Sequence, residues 1–102
     1  MNYANKIGYS DVNPYEVVRV VSSKTLEIRP MKAESDPNWK PEFLQGGFFG
    51  TVINQRSQKW IITNDDNAFV IRIRFGKQGW KDAHGGKYQL AHEPVKFHDY
   101  NF

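Results

Sequence analysis

A chain of 102 residues, 39% hydrophobic and 15% aromatic, is long enough for one domain with a modest core and too short for two. With no cysteine it has neither a disulfide framework nor a thiolate metal site, and no apolar run approaches the ~20 residues of a membrane span. Fourteen Lys and Arg against 11 acids leave it mildly basic, which suits an anionic partner without requiring one.

The first ten residues carry Lys6 but no apolar stretch of the kind a secretory signal needs, so a cytoplasmic protein is expected. After the turn signal Asn13-Pro14 come the β-branched Val17, Val18, Val20 and Val21, which predict a strand. Thr25-Leu26-Glu27-Ile28-Arg29 alternates with period two. Pairing the two around Ser22, Ser23 and Lys24 sets Val20 opposite Leu26, Val18 opposite Ile28 and Arg19 opposite Glu27. Lys24 would then stand where such a loop favours Gly.

Residues 32–45 hold Asp36, Pro37, Asn38 and Pro41 and lead to Gly46-Gly47. They read as a long ordered loop, with a helical turn near Pro41-Glu42-Phe43-Leu44 and with Trp39, Phe43 and Leu44 tacking it to the core. Such loops often serve function, or simply plug the end of a barrel.

Residues 48–54 and 59–63 predict a third and a fourth strand, and Asn64-Asp65-Asp66-Asn67 a turn. A fifth strand follows, with Phe69, Ile71, Ile73 and Phe75 on one face and Val70, Arg72 and Arg74 on the other. Folding the fourth strand onto the fifth sets Ile62 opposite Phe69 and Trp60 opposite Ile71 inward, and Ile61 opposite Val70 and Lys59 opposite Arg72 outward. Gly76, Gly79 and Gly85-Gly86 interrupt the next stretch around Trp80. Tyr88-Gln89-Leu90 reads as a short last strand, and a tail with Val95, Phe97, Tyr100 and Phe102 is too apolar to stay in water.

Many short strands, turns and one long loop give a mostly β fold: a small antiparallel barrel or rolled sheet of five to six strands spanning residues 1–102 as one domain. A two-layer β-sandwich is the alternative; an outward Ile61 and Val70 lean towards it or towards a subunit interface.

The inventory of reactive groups is thin. His84, His92 and His98, even with Asp82, match no metal-ligand spacing. There is no nucleophile elbow, no serine with an evident base, and no nucleotide fingerprint. Asp65-Asp66 is turn chemistry. Gly85-Gly86-Lys87 is a weak candidate anion nest. The chain therefore reads as a binding protein without catalytic residues, metal or cofactor. Two candidate binding sets stand out. Asn54, Gln55, Gln58 and Asp11 form a polar cluster that would lie beside Gly46-Gly47, where a ligand could approach the backbone closely, unless these are only turn formers. Lys59, Arg72 and Arg74, with Arg56 near the turn, form an outward basic row. Like charges opposite one another destabilise a sheet, so such a row suggests a phosphate or acidic partner. Its plainer reading is solvated charge that deters edge-to-edge pairing.

Several pieces in order resemble a family of small proteins encoded by bacteriophages and prophages. They are Tyr9-Ser10-Asp11-x-x-Pro14-Tyr15-x-Val17-Val18, Lys24-Thr25-Leu26-Glu27-Ile28-Arg29, Gly46-Gly47-Phe48-x-Gly50, Asn54-Gln55-x-x-Gln58-x-Trp60, Arg72-Ile73 and Phe97-x-Asp99-Tyr100-Asn101-Phe102. A His that some members carry after the glycine matching Gly50 is Thr51 here. The resemblance implies a genomic setting and no reaction. In that setting the expected roles are a host-takeover or anti-defence factor that inhibits a host protein or sequesters an anionic nucleotide, a nucleic-acid-binding barrel, or a minor virion component. A homo-oligomer is compatible with each.

Overall fold

Alternating residues along the strands sort into an apolar inner and a charged outer set, and closing the sheet on itself buries the inner one. The computed structural model describes residues 2–42, 52 and 54–100. Phe43, Leu44, Gly46, Gly47, Thr51, Phe102 and most of the expected third strand lie outside them. The strands are β1 (Tyr3–Ile7), β2 (Val12–Ser22), β3 (Thr25–Pro30), β4 (Lys32–Ser35), β5 (Trp60–Thr63), β6 (Ile71–Gly76), β7 (Gly79–Lys81) and β8 (Lys87–Ala91). Six of them close an antiparallel barrel in the order β1-β2-β3-β6-β7-β8, with β8 returning to β1; β4 and β5 form a separate two-stranded sheet. The barrel is therefore the architecture, and the sandwich is not.

Leu26, Ile28, Ile73, Ala4 and Tyr88 form the buried interior, with Tyr15, Val17, Ile71, Trp80 and Leu90 packed around them. Ile28 and Ile73 are wholly buried. β1 contributes only a methyl group at Ala4, and the rings of Tyr15 and Tyr88 meet edge to face at 5.3 Å. A small residue beside large ones is how a narrow barrel fills its taper.

Three expectations need correction. In the first hairpin Val20 lies opposite Leu26 and Arg19 opposite Glu27, but Val17, not Val18, faces Ile28. Irregularities between Val17 and Arg19 and between Val20 and Ser22 each insert a residue into β2. Val18 and Val20 are consequently exposed, Val20 at 67%. Ser22 pairs with Thr25, and no described residue other than glycine takes a positive φ, so Lys24 escapes the strain expected of it.

The second correction matters more. β5 does not fold onto β6. It pairs back with β4, Trp60 opposite Ser35 and Ile62 opposite Ala33, while β6 joins β3. The β3–β6 register sets Leu26 opposite Ile73 and Ile28 opposite Ile71 inward, and Glu27 opposite Arg72 outward. Two aliphatic pairs and one opposite-charge pair beat an arrangement that would face Lys59 with Arg72. Phe69, expected inward, precedes β6 and is 89% exposed.

Third, residues 32–35 begin the expected loop as a strand. Beyond it the Asp36 N–H donates to the Lys59 carbonyl, and Trp39 is buried, its Nε1 donating to Ser57 Oγ at 3.2 Å. Pro41 and Glu42 are irregular rather than helical.

β6 and β7 form a hairpin whose two-residue loop is Lys77-Gln78, with Gly76 opposite Gly79. Gly79 has φ +91°, which a side-chain-bearing residue rarely adopts. That glycine permits the tight turn between β6 and β7.

Candidate functional site: a cationic face and an internal clasp

The polar cluster read from the sequence does come together, and its ligand is the chain's own tail. Gln58 accepts the His98 N–H at Oε1 (2.8 Å) and donates from Nε2 to the His98 carbonyl (2.9 Å). Gln55 Oε1 accepts the Tyr100 N–H at 3.0 Å, and Asp11 Oδ1 the Asp99 N–H at 2.7 Å. Val12 and Phe97 exchange backbone hydrogen bonds of 3.0 and 2.9 Å. Asn54 binds the other side: Nδ2 donates to the Lys40 carbonyl and Oδ1 accepts the Glu42 N–H. The Tyr100 ring rests 5.4 Å from that of Trp39. Asn5, buried at 4% exposure, accepts the Val95 N–H and donates to the Glu93 carbonyl, so the tail straps the outer side of β1. A buried amide bonded at both ends is a stable element; left unpaired it is a costly one.

The basic row divides. Lys59 lies just before β5 and Arg56 in the 3-10 turn Gln55–Ser57, both exposed and away from β6 in the sheet order. Arg72 is paired: its Nη2 lies 2.9 Å from Glu27 Oε2, and Arg19 approaches the same carboxylate at 3.7 Å. Arg74 begins a different row. It stands opposite Thr25 on β3 and opposite Lys81 on β7, and Lys81 stands opposite Lys87 on β8. Three cations thus face one another across three adjacent strands. No ion pair involving Arg74, Lys77, Lys81 or Lys87 forms among the described residues. Among the described residues, the Lys81 ammonium donates to the Gln78 side-chain oxygen.

A cleft of about 590 Å³ runs along this face, lined by Arg72, Arg74, Lys77 and Lys81, by Phe75 and by the glycines of the β6–β7 loop. Phe75 is 49% exposed and its ring lies 5.4 Å from that of Trp80. The acid of the lining is Asp82, which is already committed. Its Oδ1 accepts the N–H groups of His84 (2.9 Å) and Gly86 (2.8 Å), its Oδ2 the Tyr88 hydroxyl (2.8 Å), and Lys6 Nζ lies 4.0 Å away. The nest suspected at Gly85-Gly86 therefore holds the chain's own carboxylate. A side chain at Gly86 would meet that carboxylate at 2.5 Å, so glycine is required there. Among the described residues no group of His, Asp and Glu gathers as a metal-ligand set.

Burial alone would raise the Asp82 pKa, but the hydrogen bonds from Tyr88, Gly86 and His84 and the nearby Lys6 outweigh it and hold the carboxyl below its ordinary value. Burial and the bond to Asp82 push the Tyr88 phenol up. A depressed carboxyl contributes stability above its unfolded pKa, about 3.9, and loses it as pH falls through the folded value. Asp82→Asn is therefore expected to flatten the acid side of the stability curve. Melting temperatures from pH 6 to pH 2.5 check this: the gap between wild type and variant should close on acidification.

The sequence pointed to Arg72 and Arg74 and missed Lys77, Lys81 and Lys87. The one signal for them was Phe75-Gly76-Lys77-Gln78-Gly79-Trp80, a hairpin with glycines flanking a two-residue loop, which reads equally as a run of breakers. Comparison with protein-family models, curated proteins and solved structures finds no match to the chain.

Proposed function

We propose that the protein is a binding module, without catalysis, whose cationic cleft takes a phosphate-bearing ligand of the nucleotide or nucleic-acid class. The observation that carries this reading is the row Arg74, Lys81 and Lys87, directly opposite on consecutive strands with no acid among them. Such a row costs stability. Its plainer explanation, protection of a sheet edge, has little purchase here, because β6, β7 and β8 are each paired on both sides in a closed barrel and present no free edge. Paired Arg72 at the margin adds a fork donor suited to phosphate, and half-exposed Phe75 adds a surface for a base. In the phage setting that the sequence resemblance implies, such a module acts by sequestering a host nucleotide or occupying a nucleic acid.

Amide-resolved NMR titration with thymidine monophosphate tests the placement. Shifts concentrated in residues 72–83 are expected. Shifts centred on the 54–58 segment, or none at all with nucleotide or oligonucleotide, would remove the cleft as the site.

A further inference from the structure

We infer that the ligand of this cleft is single-stranded nucleic acid, its backbone crossing β6, β7 and β8 roughly at right angles to the strands; this rests on the cleft reading above. The cationic row outruns the cleft. Lys87 is on β8, beyond the residues that line the cavity. Neighbouring strands lie about 4.8 Å apart, so Arg74 to Lys87 spans about 10 Å. That is too long for one phosphate group and matches about three phosphates of a stacked strand, at about 3.4 Å per nucleotide. A mononucleotide would leave Lys87 idle.

The flanks fit the same ligand. Phe75 lines the cleft; its ring lies on the face of β6 opposite Arg74, against Trp80, and is half in solvent where the β6–β7 hairpin ends, and an exposed ring within reach of a row of cations is how sequence-tolerant binders of single strands hold unpaired bases. Lys24, at the tip of the β2–β3 hairpin, is fixed against this residue because the Phe75 N–H donates to its carbonyl at 2.9 Å. The cleft is about half open to solvent, whereas small-molecule sites usually bury most of their ligand. A duplex keeps its bases stacked on one another and offers none to Phe75. The described residues also hold no α-helix that could enter a major groove.

The test is a length series of fluorescein-labelled oligothymidylates of 2, 4, 8 and 12 nucleotides, a 12-base-pair duplex, and thymidine monophosphate as competitor. Wild type, Lys87→Gln and Phe75→Ala are compared, each checked by thermal melting. Affinity is expected to rise steeply to about four nucleotides and then level, and the single strand to bind at least tenfold more tightly than the duplex. Lys87→Gln should weaken the oligomers several-fold, and by more than it weakens the monophosphate. Phe75→Ala should weaken the oligomers about tenfold, within the range found for loss of one stacked base. Monophosphate binding as tight as the oligomers, equal affinity for duplex, or indifference to Lys87→Gln would overturn the inference and leave the cleft reading standing. Failure of every phosphate probe would overturn both.

Discussion

A chain shortened to end at Pro94 is expected to melt at least about 15 °C below the full-length protein. The truncation removes both backbone bonds between Val12 and Phe97, both partners that His98 offers Gln58, and the N–H groups that Asp99 and Tyr100 give to Asp11 and Gln55. It also strips the Val95 N–H from Asn5, which is 4% exposed. Each hydrogen bond is worth about 0.5–1.5 kcal/mol net, and an orphaned buried amide costs about 1–3 kcal/mol. The sum is on the order of 4 kcal/mol or more, a large share of the ~5–15 kcal/mol that holds a small domain together. At about 4–8 °C per kcal/mol, that gives the expected fall. Replacing Gln55 and Gln58 together by Ala should move the melt the same way by a smaller amount. A truncated chain that melts within a few degrees of wild type would show the tail to be a solvated peptide and release the amide cluster for an outside partner.

The triple substitution Arg74→Gln, Lys81→Gln, Lys87→Gln should have the opposite profile: stability kept, binding lost. Removing like charges that face one another across β6, β7 and β8 relieves about 0.2–1 kcal/mol per pair, so the variant should melt at or slightly above wild type. Its affinity for an oligothymidylate should fall on the order of a hundredfold near 0.1 M salt, since each of the three cations would otherwise neutralise a phosphate. Arg72 is left out deliberately. Its guanidinium pairs with Glu27 at 2.9 Å; both groups are partly exposed, so the pair is worth at most about 1 kcal/mol, but its loss would blur the comparison. A sharp drop in stability would mean that these three cations are satisfied within the fold. Calorimetry and anisotropy on the same preparations separate the two outcomes.

What the sequence disclosed follows the range of the interactions. Leu26, Ile28, Ile71 and Ile73 alternate cleanly, so β3 and β6 and their inner faces were legible, as was the closed, mostly β architecture. Which strand lies beside which was not. The polar turn at Asn64–Asn67 looks like a hairpin, yet the deciding contacts are Glu27 with Arg72 and Leu26 with Ile73, more than forty residues apart. β1 and β4 carry almost no inward apolar residues, Ala4 and Ala33 being the small exceptions, and so gave no periodic signal. The amide cluster was visible as a cluster because Asn54, Gln55 and Gln58 are close in sequence. Its partner was hidden because side chains that bind backbone leave no trace in the identity of the residues bound. The cationic row was half visible because its members come from strands whose pairing is long-range. The expected pairing of Lys59 with Arg72 does not occur, since Arg72 stands opposite Glu27, and the like charges that do face one another, Arg74, Lys81 and Lys87, meet only once β7 and β8 are paired.

The most direct measurement is the affinity for an eight-nucleotide oligothymidylate between 50 and 300 mM salt, for the wild type and for the triple variant. Each phosphate neutralised by a Lys or Arg contributes about −0.7 to the slope of log K against log salt on a single strand. The wild type should therefore show a slope of about −2 or steeper, and the variant a slope shallower by about 2. Equal slopes in the two proteins would mean that Arg74, Lys81 and Lys87 meet no phosphate, and the cationic face would then be solvated charge alone.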